Sequence, residues 1–97
     1  MDKGLNAFLA VARGGSITAA ASTINLAQSS ITKRIAALEV KIGIPLFHRD
    51  RRGMSLTEAG EVFLARAARI EHEYRYGLEE IAVISAAGLS ELKVGAG

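Results

Sequence analysis

Apolar residues recur at helical spacing along most of the chain, and glycine, asparagine and proline interrupt the pattern at a few points. Leu5, Phe8, Leu9 and Ala12 place a first helix over residues 3–13, closed by Gly14-Gly15. Ser16 is suited to N-cap a second helix that ends near Ile24. Ala19, Ala20 and Ala21 leave little bulk on it, so another helix can cross closely. Asn25 fits a turn because it tolerates positive φ, and Leu26 is placed to plug the core beneath it. Ile31, Ile35, Leu38 and Ile42 then form the buried stripe of a third helix over residues 28–42. Its other face carries Gln28, Ser29, Thr32, Lys33 and Ala36, and Gly43 and Pro45 end it.

Beyond that point the period changes. Leu46-Phe47 and Met54-Ser55-Leu56 are short enough to be two strands of a hairpin, with HRDRRG as a charged tip and Gly53 at the turn. Thr57 caps a last helix that runs to about Ser85, with Glu58 and Glu61 near its positive end. Such a helix is roughly 40 Å long, more than a domain this small can cover. Phe63, Ala67, Ile70, Tyr74, Gly77, Ile81 and Ile84 alternate spacings of four and three, a heptad seam that points to a dimer. The tail LKVGAG reads as the start of a strand with no partner in the chain. The pattern thus predicts a mainly α winged helix-turn-helix, three helices plus a two-stranded wing, followed by a long dimerisation helix. Three units result: residues 1–58, a linker helix over 59–86, and the opening of a further domain over 87–97.

Composition narrows the classes. Ninety-seven residues, 49% apolar and 23% charged, make one globular domain. The absence of cysteine removes disulfides and thiolate metal sites, and fits a reducing cytoplasm. No run approaches the ~20 apolar residues of a membrane span. The apolar N-terminal run carries Asn6 and ends at Arg13 with helical spacing, so a core helix is favoured over a signal peptide. The net charge of +2 is unevenly placed: eight Lys/Arg against three Asp/Glu over residues 1–57, four against seven over residues 58–97. The first part is therefore suited to a polyanion.

A short alanine-rich helix, a turn, and a second helix opening on Gln28, Ser29 and Thr32 with Lys33 and Arg34 behind them meet the needs of a DNA major groove. Lys33 and Arg34 diverge by about 100° around the helix, which directs Lys33 to bases and Arg34 to phosphate or solvent. Arg49, Arg51 and Arg52 on the hairpin tip suit phosphates or a narrow minor groove, Arg51 least because Asp50 adjoins it. A solvated helix face and a charged edge strand are the plainer readings of the same residues. His48 and His72 lack acids at ligand spacing, so neither metal nor cofactor is expected. Ser29, Ser30, His48 and Asp50 lack any nucleophile elbow or oxyanion loop, so an enzyme is not expected.

The ordered series FLAVARGGSITAAAS, NLAQSSITKRIAALE and IGIPLFHRDRRGMSLTEAG, followed by the long helix, resembles the N-terminal region of LysR-type bacterial transcriptional regulators. The resemblance implies a sequence-specific DNA-binding module that contacts the major groove through Gln28, Ser29, Thr32 and Lys33. It places Arg49 and Arg52 on the wing and pairs the long helix with a second copy. Double-stranded operator DNA and a homodimer are the implied partners, with a higher oligomer open to a longer protein. A small-molecule effector would bind only through a further domain, whose first strand LKVGAG resembles. Ala27, Ser29 and Lys33 depart from the family's usual serine, proline and arginine, so base preference does not carry over. Two other readings stay open: a winged-helix module that binds protein, and the N-terminal domain of a molybdate-responsive regulator.

Overall fold

A computed structural model describes residues 2–96, with side chains through residue 87. The elements run α1 (Lys3–Gly14), α2 (Ile17–Ile24), α3 (Gln28–Ile42), β1 (Phe47–Asp50), β2 (Gly53–Leu56) and α4 (Glu58–Ala96). The expected elements form in the expected order, because each boundary carries its own stop or start. Asp2 caps α1 by accepting from the Leu5 N–H at 3.0 Å, and Ser16 caps α2 by accepting from the Ala19 N–H at 3.0 Å. Gly15 and Asn25 close α1 and α2 in the left-handed conformation, at φ 75° and 54°, as does Gly43 after α3 at 90°. Thr57 caps α4, its Oγ1 accepting from the Gly60 N–H at 3.0 Å while donating to the Pro45 carbonyl at 2.8 Å.

The core is built on α1. Leu5, Phe8, Leu9 and Val11 are buried and meet Ala20 of α2 and Ile31 and Ile35 of α3. Phe8 is fully buried between two aromatic rings: Phe47 of β1 at 5.3 Å and, edge-on, Phe63 of α4 at 4.8 Å. Helices, wing and long helix therefore share one apolar centre.

The wing is an antiparallel pair in which Phe47, His48, Arg49 and Asp50 face Leu56, Ser55, Met54 and Gly53. The strands reach further toward the tip than expected: β1 takes in His48, Arg49 and Asp50, β2 begins at Gly53, expected at the turn, and only Arg51 and Arg52 form the turn. The Asp50 carboxylate accepts from the Arg52 N–H at 2.8 Å and fixes that turn.

Three further expectations are corrected. Ile42 does not complete the buried stripe of α3; it is 41% exposed, because the helix outruns the core. The LKVGAG tail does not open a strand: α4 continues through Ala96, well past Ser85. A lone strand has no ladder to satisfy its backbone, whereas a helix satisfies its own. The helix runs unbroken through residue 86; of the expected unit 87–97, side chains after residue 87, and Gly97 altogether, lie outside the described residues. Finally, Phe63 and Ala67 are not seam residues. Ala67 is fully buried in the protomer and Phe63 packs on Phe8, so the seam can begin only at Ile70.

α4 crosses the wing root closely. A Cβ on Gly60 would collide with the Leu46 carbonyl oxygen and come within 2.9 Å of Leu56. That carbonyl already accepts from the Thr57 N–H at 3.0 Å, so it is not free to move. Gly60→Ala is expected to cost about 1–3 kcal/mol of stability, as overpacked cores do, read from the urea midpoint. An unchanged midpoint would mean that the junction of wing and α4 opens without cost.

Candidate nucleic-acid interface

α3 presents its N-terminal turns to solvent. Gln28, Ser29 and Lys33 are exposed and Thr32 is half-buried; Ser29 and Lys33 lie away from Ile31 and Ile35, and Gln28 and Thr32 border that buried side at the helix start. The Thr32 hydroxyl donates to the Gln28 carbonyl at 3.0 Å, one turn back. Its methyl is then the part left for contact. Ala27 offers no side chain to cap α3; its carbonyl accepts from the Ser30 N–H at 3.0 Å, and the Gln28 and Ser29 N–H groups are left to outside acceptors. Arg34 stands apart from this face: it is half-buried and lines a shallow cleft with Asp2, Lys3, Gly4, Ala37, Leu38 and Lys41.

The wing is fixed to this helix by a residue that the sequence reading did not single out. The Glu39 carboxylate of α3 accepts from the Leu46 N–H at 2.6 Å and the Phe47 N–H at 3.3 Å. The Leu46 amide precedes the ladder and the Phe47 amide opens it, and a carboxylate is a strong acceptor for both. Its other oxygen lies 3.8 Å from the Arg49 guanidinium. Arg49 is thus drawn back toward α3, while Arg51 and Arg52 project at the exposed turn. Across the hairpin the Met54 N–H donates to the Gly15 carbonyl at 3.1 Å, which pins β2 to the corner between α1 and α2. Helix-turn-helix and wing therefore hold together at two backbone points. Only the local signals for the wing, its length and its glycine, are visible in sequence; one pin crosses the loop from α3 to β1 and the other joins residues distant in the chain.

Of the seam residues, Ile70, Tyr74, Ile81 and Ile84 are 50%, 49%, 61% and 69% exposed. Gly77 is half-buried with open space around it. Leu78 and Val83 are also exposed, so the outer half of α4 is apolar on more than one side. No helix among the described residues is long and apolar enough to cross a membrane. No three His, Asp or Glu among them cluster as metal ligands would.

Residues 3–61 match the family described as "Bacterial regulatory helix-turn-helix protein, lysR family". The HTH-type transcriptional regulator YofA of Bacillus subtilis (strain 168) is 51% identical over 71 residues, 72% of this chain and 25% of that protein. The regulator ClcR of Pseudomonas putida is 40% identical over 90 residues, 93% of this chain and 31% of that protein. The chain thus spans about a quarter to a third of these relatives. Among solved structures, the CbnR_DBD–DNA complex superposes with a TM-score of 0.75 at 40% identity, covering 87% of this chain and 99% of the other. The BenM_DBD/catB site 1 DNA complex reaches 0.83 at 28% identity, covering 88% and 97%.

Glu39→Ala should release the wing root while leaving the helices. Two amides would lose their acceptor, at a cost of about 1–3 kcal/mol if they stay buried. Amide exchange at residues 46–56 should quicken relative to α1 and α3. Equal protection in variant and wild type would show that the ladder alone holds the wing.

Proposed function

Because the chain belongs to the LysR family of bacterial regulatory helix-turn-helix proteins, we propose that it is the sequence-specific DNA-binding module of a transcriptional regulator. The observation that carries this reading is the exposed, uncapped start of α3, with Gln28, Thr32 and Lys33 on one face and a wing pinned beside it. A helix N-terminus bearing an amide, a methyl and a cation has the groups a major groove answers. Gln28 can pair both ends of its amide with the major-groove edge of an adenine, Thr32 can offer its methyl to thymine, and Lys33 can donate to guanine acceptors. Ser29 adds a base or phosphate contact. Arg34, turned toward the cleft by α1, and Arg52 at the wing tip meet phosphates or the minor groove. Arg49 shares its charge with Glu39 and contributes less. The relatives whose structures are titled as DNA complexes support the same docking.

A homodimer through Ile70, Tyr74, Gly77, Ile81 and Ile84 is part of this reading, because these residues continue the four-three spacing where α4 has left its own core. A further domain after α4, binding a small-molecule effector, would complete a regulator acting on operators in the cytoplasm. The rival of a protein-binding winged helix lacks any comparable support.

Selection of duplexes from a random pool tests the DNA reading. Gln28→Ala should relax preference at one position per half-site, by about 1–3 kcal/mol, while its nonspecific affinity stays close to wild type. Arg52→Ala should weaken all duplexes alike and lower the salt slope by about one. An identical selected motif with Gln28→Ala would move the base-reading face elsewhere. Ile70→Lys with Ile81→Lys should sediment as a monomer, since each helix would bury two charges in the seam. A dimer that persisted would place the interface on another surface.

A further inference from the structure

The one long-range ion pair among the described residues that joins α1 to α4 has no part in reading DNA. Both Arg13 guanidinium nitrogens meet both Glu71 oxygens, at 3.0 and 2.7 Å, across 58 residues of sequence. Arg75, one turn on, lies 3.9 Å from the same carboxylate. The hydrogen bonds from Arg13 hold the Glu71 carboxyl below the usual glutamate range. A two-pronged pair fixes orientation as well as distance.

Its position gives it a use. Apolar packing on the core holds α4 at Phe63, Leu64 and Ala67. Glu71 is one turn further out, and of residues 72–87 only Gly77 is even half-buried. Arg13 lies in the last turn of α1, beside Gly15, whose carbonyl pins β2. The pair thus ties the departing helix to the corner from which α2 and the wing are hung. From this geometry we propose that Arg13 and Glu71 are positioning residues that set the angle between the DNA-reading head and α4. They thereby set the spacing of half-sites that a dimer accepts.

The proposal rests on the dimer reading above. The head is carried on residues 58–71 of α4, which span about 20 Å, so a tilt of about 10° at this clamp moves its far end by about 3.5 Å. That matches the ~3.4 Å rise of one base pair. The pair itself is exposed, with Arg13 51% accessible, so it adds little to stability and its loss leaves the fold intact.

The test compares wild type, Arg13→Ala, Glu71→Gln and the exchanged pair Arg13→Glu with Glu71→Arg. Each is assayed on one isolated half-site and on duplexes whose two half-sites are separated by spacers varied one base pair at a time. Sedimentation is run alongside. The single variants should bind the isolated half-site within about twofold of wild type and remain dimers. Their preference for the wild-type spacing over spacings one or two base pairs away should fall by about two- to fivefold, and the exchanged pair should restore much of it. Single variants that keep the wild-type spacing preference would overturn the clamp and leave the dimer standing. A wild-type chain that sediments as a monomer and shows no spacing preference would overturn the dimer, and the clamp with it.

Discussion

Burial of Phe8 is the constraint on which the rest of the structure depends. Its ring takes Phe47 on one side and Phe63 on the other, so one side chain joins the first helix, the wing and the long helix. A domain this small has few apolar residues to spare, and the aromatic triad concentrates contact area where three elements meet. The polar fasteners are placed around this centre: Glu39 on the wing root, the Gly15 carbonyl on β2, Thr57 between Pro45 and Gly60. Each satisfies backbone groups that the elements cannot satisfy for themselves. None could hold the wing if the apolar centre were lost.

This arrangement frees the start of α3. Ile31 and Ile35 commit one side of the helix to the core, and everything at Gln28, Ser29 and Lys33 faces outward. On the proposed reading, bases would be met by side chains with no structural duty, on a helix whose orientation is fixed by buried ones. Arg49 marks the contrast. It lies on the same face of its strand as Phe47, so its charge is answered by Glu39. Arg51 and Arg52 stand at the exposed turn, beyond this pair.

Much of this was legible in sequence because it is local. Helical spacing from Leu5 to Leu38, the caps Ser16 and Thr57, and the left-handed stops Gly15, Asn25 and Gly43 are each signalled within a few residues. What could not be read depends on which elements meet. A four-three spacing is the same whether the partner is the same protomer or a second one, and so Phe63 and Ala67 were assigned outward although Phe8 and its neighbours cover them. Ile42 continues its stripe in sequence but not in space, since that end of α3 lines an open groove with Ala59 and Val62 of α4 and does not close on the core. Glu39 and the Arg13–Glu71 pair are ordinary charged residues until the fold brings their partners to them.

The central claim is that the start of α3 and the wing tip form one DNA-facing surface on an unchanged core. Titrating the isotope-labelled chain with a selected duplex and following each backbone amide tests it most directly. The account predicts the largest shifts at residues 28–36 and 49–53, with Leu5 to Val11 nearly still. Largest shifts instead along the apolar groove of Ile42, Ile44 and Val62, with Gln28 to Lys33 unmoved, would contradict it.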